Sequence, residues 1–290
     1  MENTRTKTTR NSLILLLTAA IWGMAFVSQS KGMDYMHPFT FNGVRSLIGA
    51  ASILVYILIS RKIAGDKAAP LDWKLNVKAG LLCGIFLTIA STLQQFGIKY
   101  TSVGKAGFIT TLYIIFVPMF GIFLKKKVAP VVWAAAVMAA VGMYLLCMTE
   151  SLHLGAGDIM VFLCAIAFAI QIMTVDHYAA RIDGAVVSCI QFTVCGVVCC
   201  IGALIWGQPT FGQIQEGLGA LLYAGVLSCG VGYTLQIVGQ KGLNPTVAAL
   251  IMSLESVIAT ISGWIAYKIG FLSTDQTLTP RQIAGCVIVF

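Results

Sequence analysis

Apolar runs about as long as a bilayer core is thick recur along this chain, with most charges confined to the gaps between them. A spanning helix takes about 20 residues. The runs cover residues 12–30, 38–60, 76–98, 104–124, 130–148, 157–175, 184–206, 217–239 and 246–267, and a tenth covers 282–290. Backbone polar groups in hydrocarbon need internal partners, so each run is expected to be helical. The runs are continuously apolar, which excludes the alternating pattern of a β-barrel. Composition agrees: 58% hydrophobic and 10% charged residues, against about 45–50% and about 25% in soluble domains. The expected fold class is an all-α integral membrane protein, with the bilayer as its first partner. The tenth run is nine residues, or roughly 13 Å of helix, too short to cross. It is read as a truncated tenth helix. The basic start with Arg5, Lys7 and Arg10 resembles a signal peptide. Further spans follow it, so the first run is read as an uncleaved helix.

Charge sets orientation. With the N-terminus cytoplasmic, the inside segments hold 13 Lys and Arg and the outside segments 5. The positive-inside rule favours that arrangement, and a multi-pass cytoplasmic membrane location follows. The net charge of +8 is thus a topogenic signal and not a nucleic-acid surface. The nine cysteines (83, 147, 164, 189, 195, 199, 200, 229 and 286) lie in or at the ends of apolar runs without a C-x-x-C pair. They read as small hydrophobes. His37, His153 and His177 sit near separate span ends, so no metal or haem site is expected. No G-x-x-x-x-G-K-[ST] occurs, which leaves no phosphate loop and no cofactor. No nucleotide-driven mechanism is expected of such a chain.

A shift of 142 residues lays 92–126 over 234–268 with ten identities, including the polar pattern T-L-Q-x-x-G-x-K. A shift of 146 lays 38–45 over 184–191 and Trp22 over Phe168 more weakly. The unit is about five helices long, with residues 1–150 the first repeat and 151–290 the second. Five is odd, so the second copy is expected upside down, with Lys99 outside and Lys241 inside. Inverted repeats with a midplane site are characteristic of secondary transporters.

The stretches A-I-W-G-M-A-F-V (20–27), P-F-T-F-N-G-V-R-S-L-I-G-A (38–50), F-V-P-M-F-G (116–121) and S-L-E-S-V-I-A-T-I-S-G-W (253–264), with the spans and the repeat, resemble the drug/metabolite transporter superfamily. They are most similar to its ten-helix EamA-type permeases. The resemblance covers essentially the whole chain. It implies a carrier of small metabolites such as amino acids, with helices one to four and six to nine around the path and five and ten peripheral. One departure is visible. The family often has Pro after the ninth-helix glutamate, where this chain has Ser256.

Two charges are stranded within spans. Glu255 lies ten residues past Pro245, roughly 15 Å deep by helix rise. An intramembrane carboxylate costs about 2.5–3.5 kcal/mol. It could bind an ammonium group or carry a proton; the alternative is a structural glutamate bridging helices. Arg45 lies seven residues past Pro38, roughly 10 Å from the outer face. It could meet an anionic substrate group, pair with Asp34 or Asp158, or snorkel outward. Gln94 and Gln95 lie in the third run, Gln171 and Gln191 in the sixth and seventh, and Gln236 in the eighth. They suit a polar metabolite or interhelical hydrogen bonds, and Gln94 and Gln236 are repeat mates. Trp22, Tyr113 and Tyr233 could line a cavity and hold a cation, or pack against helices and lipid. Asp158 and Asp176, at opposite ends of the sixth span, are expected at the interfaces. The small-residue pairs Gly80/Gly84 and Ala135/Ala139 permit close helix contact.

Transport is weighed against two other classes. An intramembrane enzyme needs clustered catalytic side chains at one face, and the histidines are scattered. A non-transporting scaffold, and within the carriers a drug or nucleotide-sugar substrate, are the other readings. A homodimer is compatible with the sequence.

Overall fold

The computed structural model describes residues 4–65, 70–124, 130–147 and 155–289. Every regular element among them is helical. Eight helices are long and apolar enough to cross a membrane. In chain order the elements begin with α1 (Thr4–Gly32), α2 (Pro38–Ala64) and α3 (Trp73–Ile98). The next span is divided into α4 (Val103–Thr110) and α5 (Tyr113–Phe123), and α6 (Pro130–Cys147) follows. Then come α7 (Ala156–Tyr178) and α8 (Gly184–Gly202), the latter prolonged by a π turn over Ala203–Gly207. A short α9 (Phe211–Glu216) precedes a span built of α10 (Leu218–Leu222), a π segment (Tyr223–Gly232) and α11 (Tyr233–Gln240). The last are α12 (Pro245–Met252), α13 (Glu255–Lys268) and α14 (Pro280–Val289). That final helix starts two residues before the sequence pattern suggested.

Helix starts follow local chemistry. Asp72 accepts from the Leu75 amide and opens α3; Asp183 accepts from the Ala185 and Val186 amides and opens α8. Both satisfy donors that a helix N-terminus leaves free. Before α2, His37 accepts from the Phe39 amide and Pro38 occupies the first turn, where its missing N–H costs nothing.

Two spans are not continuous helices, which corrects the expectation of one unbroken helix per run. α4 stops at Thr110 and α5 restarts at Tyr113; α12 stops at Met252 and α13 restarts at Glu255. The breaks lie 142 residues apart and share one construction. The Thr111 hydroxyl donates to Phe108 O at 2.8 Å, and the Ser253 hydroxyl donates to Leu250 O at 2.8 Å. Backbone amides tighten to i→i−3 bonds in each, at Leu112 and Ile114 and at Leu254 and Ser256. Ser and Thr side chains that bond back to the preceding turn bend helices. The break before Glu255 therefore forms without a proline, with Ser256 following the glutamate. In the other span the proline, Pro118, sits inside α5, away from its break.

The helices pack around a centre shared by both ends of the chain. α2 packs along α8, α3 along α7 and α8, and α1 along α11, α13 and the π segment. α6 pairs with α14 at the edge. Close approach depends on glycine. A Cβ at Gly49 would lie 2.6 Å from Cys229 Cβ, and one at Gly80 2.6 Å from Ile190 Cβ. The outward faces stay apolar, with Leu54, Val55, Leu58 and Ile59 of α2 and Val197, Val198 and Ile201 of α8 exposed. Exposed faces of that kind match lipid and not water.

The basic residues Lys67, Lys125, Lys126 and Lys127, and His153, lie outside the described residues, as do the side chains of Arg5, Ala135, Ala139, Cys147 and Cys286. The seven described cysteines are free thiols.

Candidate functional site

A cavity lies at the centre of the packed helices. It is narrow: the centre of a water molecule can reach only about 30 Å³ of it. Trp22, Arg45, Gln94, Tyr113, Gln171, Tyr233, Gln236 and Glu255 all line it. The fold thus gathers these eight candidates from seven separate spans, while Gln191, Asp158 and Asp176 lie outside the lining.

Glu255 opens α13 just past the break and is 3% exposed. The Tyr113 hydroxyl, itself at the first position of α5, donates to Glu255 Oε1 at 3.0 Å. Each break thus delivers one member of this pair, because the restarted helix aims its first side chain inward. Tyr113 and Glu255 stand 142 residues apart, at matching positions of the repeat.

Arg45 is 4% exposed. Its Nε donates to Asn42 Oδ1 at 2.9 Å, and its guanidinium lies over the Phe41 ring at 5.5 Å. It neither snorkels nor pairs with the acids proposed for it. Asp34 binds Lys31 at 3.0 Å and Asp158 binds Lys105 at 2.6 Å. Asp158 is buried at the start of α7, also accepting from Thr101 and Gly155. It sits at the end of its span, as expected of it, and there caps the helix within an ion pair. Among the described residues, nothing accepts from the terminal nitrogens of Arg45, which leaves that cation to the cavity.

The amides form a relay. Gln236 Nε2 donates to Gln171 Oε1 at 3.3 Å, and Gln171 Nε2 donates to Gln191 Oε1 at 3.5 Å. Both ends stay open: Gln191 Nε2 and Gln236 Oε1 are buried without a partner. A buried polar atom left so costs about 1–3 kcal/mol, so the relay is set to receive water or a polar ligand. Gln94, the repeat mate of Gln236, instead donates to Thr110 Oγ1 at 3.1 Å. Aromatic rings close one wall. Trp22 and Tyr233 stand 4.5 Å apart by centroid, Phe192 meets Tyr233 edge-on at 5.0 Å, and Trp22 Nε1 donates to Ser228 O at 3.4 Å.

The sequence reading missed Asn42, Ser91, Thr110 and Phe192, which also line the cavity. Asn42 was detectable. It precedes Arg45 by three residues on one helix, and such pairs share a face. Its amide bonds Ser91 Oγ at 3.0 Å and Cys199 Sγ at 3.3 Å, tying α2 to α3 and α8 beneath the cation. No group of three or more metal-ligating side chains occurs among the described residues.

The EamA-like transporter family matches this chain over residues 10–148 and again over 155–290. An uncharacterized transporter of Archaeoglobus fulgidus is 27% identical over 281 residues, which is 95% of this chain and 82% of that one. The uncharacterized transporter YwfM of Bacillus subtilis is 27% identical over 284 residues, or 96% and 90% of the two chains. A crystal structure with 16% identity superposes with a TM-score of 0.73 over 97% of this chain and 94% of that one, a likeness of fold alone. Two family matches spanning nearly the full length place the chain plainly: it is a multi-pass membrane protein of the EamA-like transporter family.

Proposed function

We propose that the chain is a secondary carrier of a small zwitterionic metabolite, an amino acid or close analogue, working by alternating access. The observation that carries this is the central cavity, where a buried guanidinium and a buried carboxyl face one space lined otherwise by amides and aromatic rings. Arg45 would take the substrate's carboxylate, because guanidinium matches a carboxylate in two parallel bonds. Glu255 would take the ammonium group, with Trp22 and Tyr233 presenting ring faces to it. The open ends of the Gln171–Gln191–Gln236 relay suit the remaining polar atoms.

Ten helices in two inverted five-helix repeats, 1–150 and 151–290, supply the mechanism in this reading. The lining supports it. At the shift of 146, Trp22 matches Phe168, Phe26 matches Ile172 and Arg45 matches Gln191. At 142, Ser91 matches Tyr233, Gln94 matches Gln236 and Tyr113 matches Glu255. All but Gln191 line the cavity. Packing agrees, since α3 against α7 has its counterpart in α1 against the π segment and α11. Two halves that can exchange conformations give inward-open and outward-open states of similar energy. The N-terminus is cytoplasmic and the membrane is the cell membrane in this reading, from the bias of basic residues.

The test has two steps. Purified protein is screened by thermal shift against amino acids, polyamines, nucleosides and cationic drugs; a ligand of the native state raises the melting temperature. The labelled hit is then used in counterflow with proteoliposomes. Trans-stimulation by the unlabelled compound supports a carrier, and its absence points to a channel or scaffold. A screen in which only nucleosides or cationic drugs bind would overturn the zwitterion reading. Proton coupling through Glu255 is part of the proposal, and an E255Q variant that transports with the original pH dependence would remove it.

A further inference from the structure

A second cavity, in which the centre of a water molecule can reach about 620 Å³ against about 30 Å³ at the central site, opens at the end of the bundle where α1 begins. Its wall joins distant parts of the chain. Tyr56, Ile57, Ser60 and Arg61 come from α2, and Asp72 and Asn76 from the start of α3. Arg181 and Asp183 come from the turn before α8, and Val238 and Lys241 from the end of α11.

Three cations converge here. Arg61, Arg181 and Lys241 have no acidic partner among the described residues. The two acids in the wall are engaged elsewhere. Asp72 accepts from the Leu75 amide at 3.0 Å, and Asp183 accepts from the Ala185 and Val186 amides at 3.0 and 3.2 Å. Each carboxylate answers a helix N-terminus, where negative charge is already stabilised. The wall therefore carries net positive charge, with Arg181 Nη2 also donating to His177 O at 3.4 Å.

The site is also built. Asn76 is 1% exposed; its Nδ2 donates to Asp72 O at 2.8 Å and its Oδ1 accepts from the Asp183 amide at 2.9 Å. One buried amide thus staples the two loops together. Lys241 is held in place, with Nζ donating to Ile182 O at 3.3 Å and its own carbonyl accepting from Asn11 Nδ2 at 2.7 Å. Below the cations the wall turns apolar through Ile57, Ala185 and Val238, and Tyr56, 60% exposed, faces outward beside them. A charged head above an apolar stem open to the side is the shape of an amphiphile.

We infer that this crevice binds an anionic phospholipid, with the phosphate on Arg61, Arg181 and Lys241 and an acyl chain along Ile57, Ala185 and Val238. A free phosphate would satisfy the cations but would leave the apolar stem unused. Basic pockets between membrane helices favour such headgroups. The bound lipid would bridge α2 and α3 to α8 and α11, and so fasten the two halves of the chain at this end.

The test uses the full chain in mild detergent. Native mass spectrometry compares retention of phosphatidylglycerol with phosphatidylcholine of the same acyl chains. At the roughly fivefold per Lys or Arg that anionic headgroups give near a surface, three cations predict a preference on the order of a hundredfold. The R61Q/R181Q/K241Q variant should lose that preference. The K74Q/K78Q variant, which removes two exposed cations near this end but outside the crevice, should keep it. Melting temperatures of both variants establish that they are folded; the single variant R61Q replaces the triple if the triple is not. Equal retention of the two lipids overturns the proposal, as does an equal loss in both variants. Displacement of the lipid by inorganic phosphate at equal concentration overturns the choice of lipid, because the apolar stem then contributes nothing.

Discussion

Removing one hydroxyl at Tyr113 tests the geometry of the central site directly. Tyr113→Phe keeps the ring and its packing and deletes the donor that meets Glu255 Oε1 at 3.0 Å. Both side chains are buried, at 2% and 3% exposed. No other hydrogen bond to the Glu255 side chain exists among the described residues. A hydrogen bond to a charged group is worth about 1.5–3 kcal/mol, and one between neutral groups about 0.5–1.5 kcal/mol. In the wild-type background the substitution should therefore cost about 1.5–3 kcal/mol if the carboxyl is ionised. In an E255Q background the amide oxygen accepts the same hydroxyl, and the cost should fall to about 0.5–1.5 kcal/mol. The double-mutant cycle gives the difference as a coupling energy of about 1 kcal/mol or more. The assay is reversible unfolding in mixed detergent micelles, reading midpoint and slope for the four proteins. A coupling below about 0.3 kcal/mol, within the scatter of independent sites, would show that the bond carries no charge-dependent energy. A Tyr113→Phe cost near zero in both backgrounds would refute the contact itself, and with it the claim that the two helix breaks aim their first residues at each other.

Four more substitutions probe the frame around that site. Gly49→Ala should destabilise by about 1–3 kcal/mol, because the added methyl lies 2.6 Å from Cys229 Cβ and 3.0 Å from Gly225 O. Gly219→Ala, where nothing lies within 4 Å, should be neutral or stabilise by up to about 1 kcal/mol; the same unfolding assay reads both. Lys105→Met leaves Asp158, 5% exposed, without its ammonium and should cost about 1–3 kcal/mol, less than a fully buried pair because Lys105 is partly exposed. His37 has its pKa lowered from the ordinary 6.5 by burial and by the Lys99 charge, and its Nδ1 accepts from the Phe39 amide at 3.3 Å. The sign follows: the folded state resists protonation, so stability present above about pH 6.5 declines as the pH falls below it. A His37→Asn variant, which keeps an N-cap acceptor, should lose that acid sensitivity in melts recorded from pH 8 to pH 5.

The spans were legible because their signal is additive. Some twenty consecutive apolar residues leave the backbone no choice but a helix, whatever the neighbours do. The site residues were legible for the converse reason. A charge or amide inside such a run is costly enough to need a purpose, and the fold brings Arg45, Gln94, Gln171, Gln236 and Glu255 to one cavity. Their partners were less legible. The alternative in which Arg45 pairs with Asp158 fails because Lys105 holds that acid from the start of α4, a contact between two helix starts that a count of helix depth cannot anticipate. The partner is the neutral Asn42, which accepts from Arg45 Nε at 2.9 Å.

The helix breaks show where local reasoning stops short. Thr111 and Ser253 are unremarkable residues in apolar runs, and neither span breaks at a proline or a glycine. What ends each helix is a hydroxyl bonded back to the preceding turn, and a hydroxyl can equally stay inside a straight helix. The repeat is what removes the ambiguity. One serine or threonine in a span says little, but hydroxyls at 111 and 253, each two residues before a polar side chain, occur at the same offset as the T-L-Q-x-x-G-x-K match. In the inverted-repeat reading an axis relates the two positions, and residues placed close to that axis must meet their own counterparts. Tyr113 and Glu255 do meet. The repeat could thus have named the contact in advance: where two matched positions carry a donor and an acceptor at matched depth, self-pairing across the axis is the first arrangement to test.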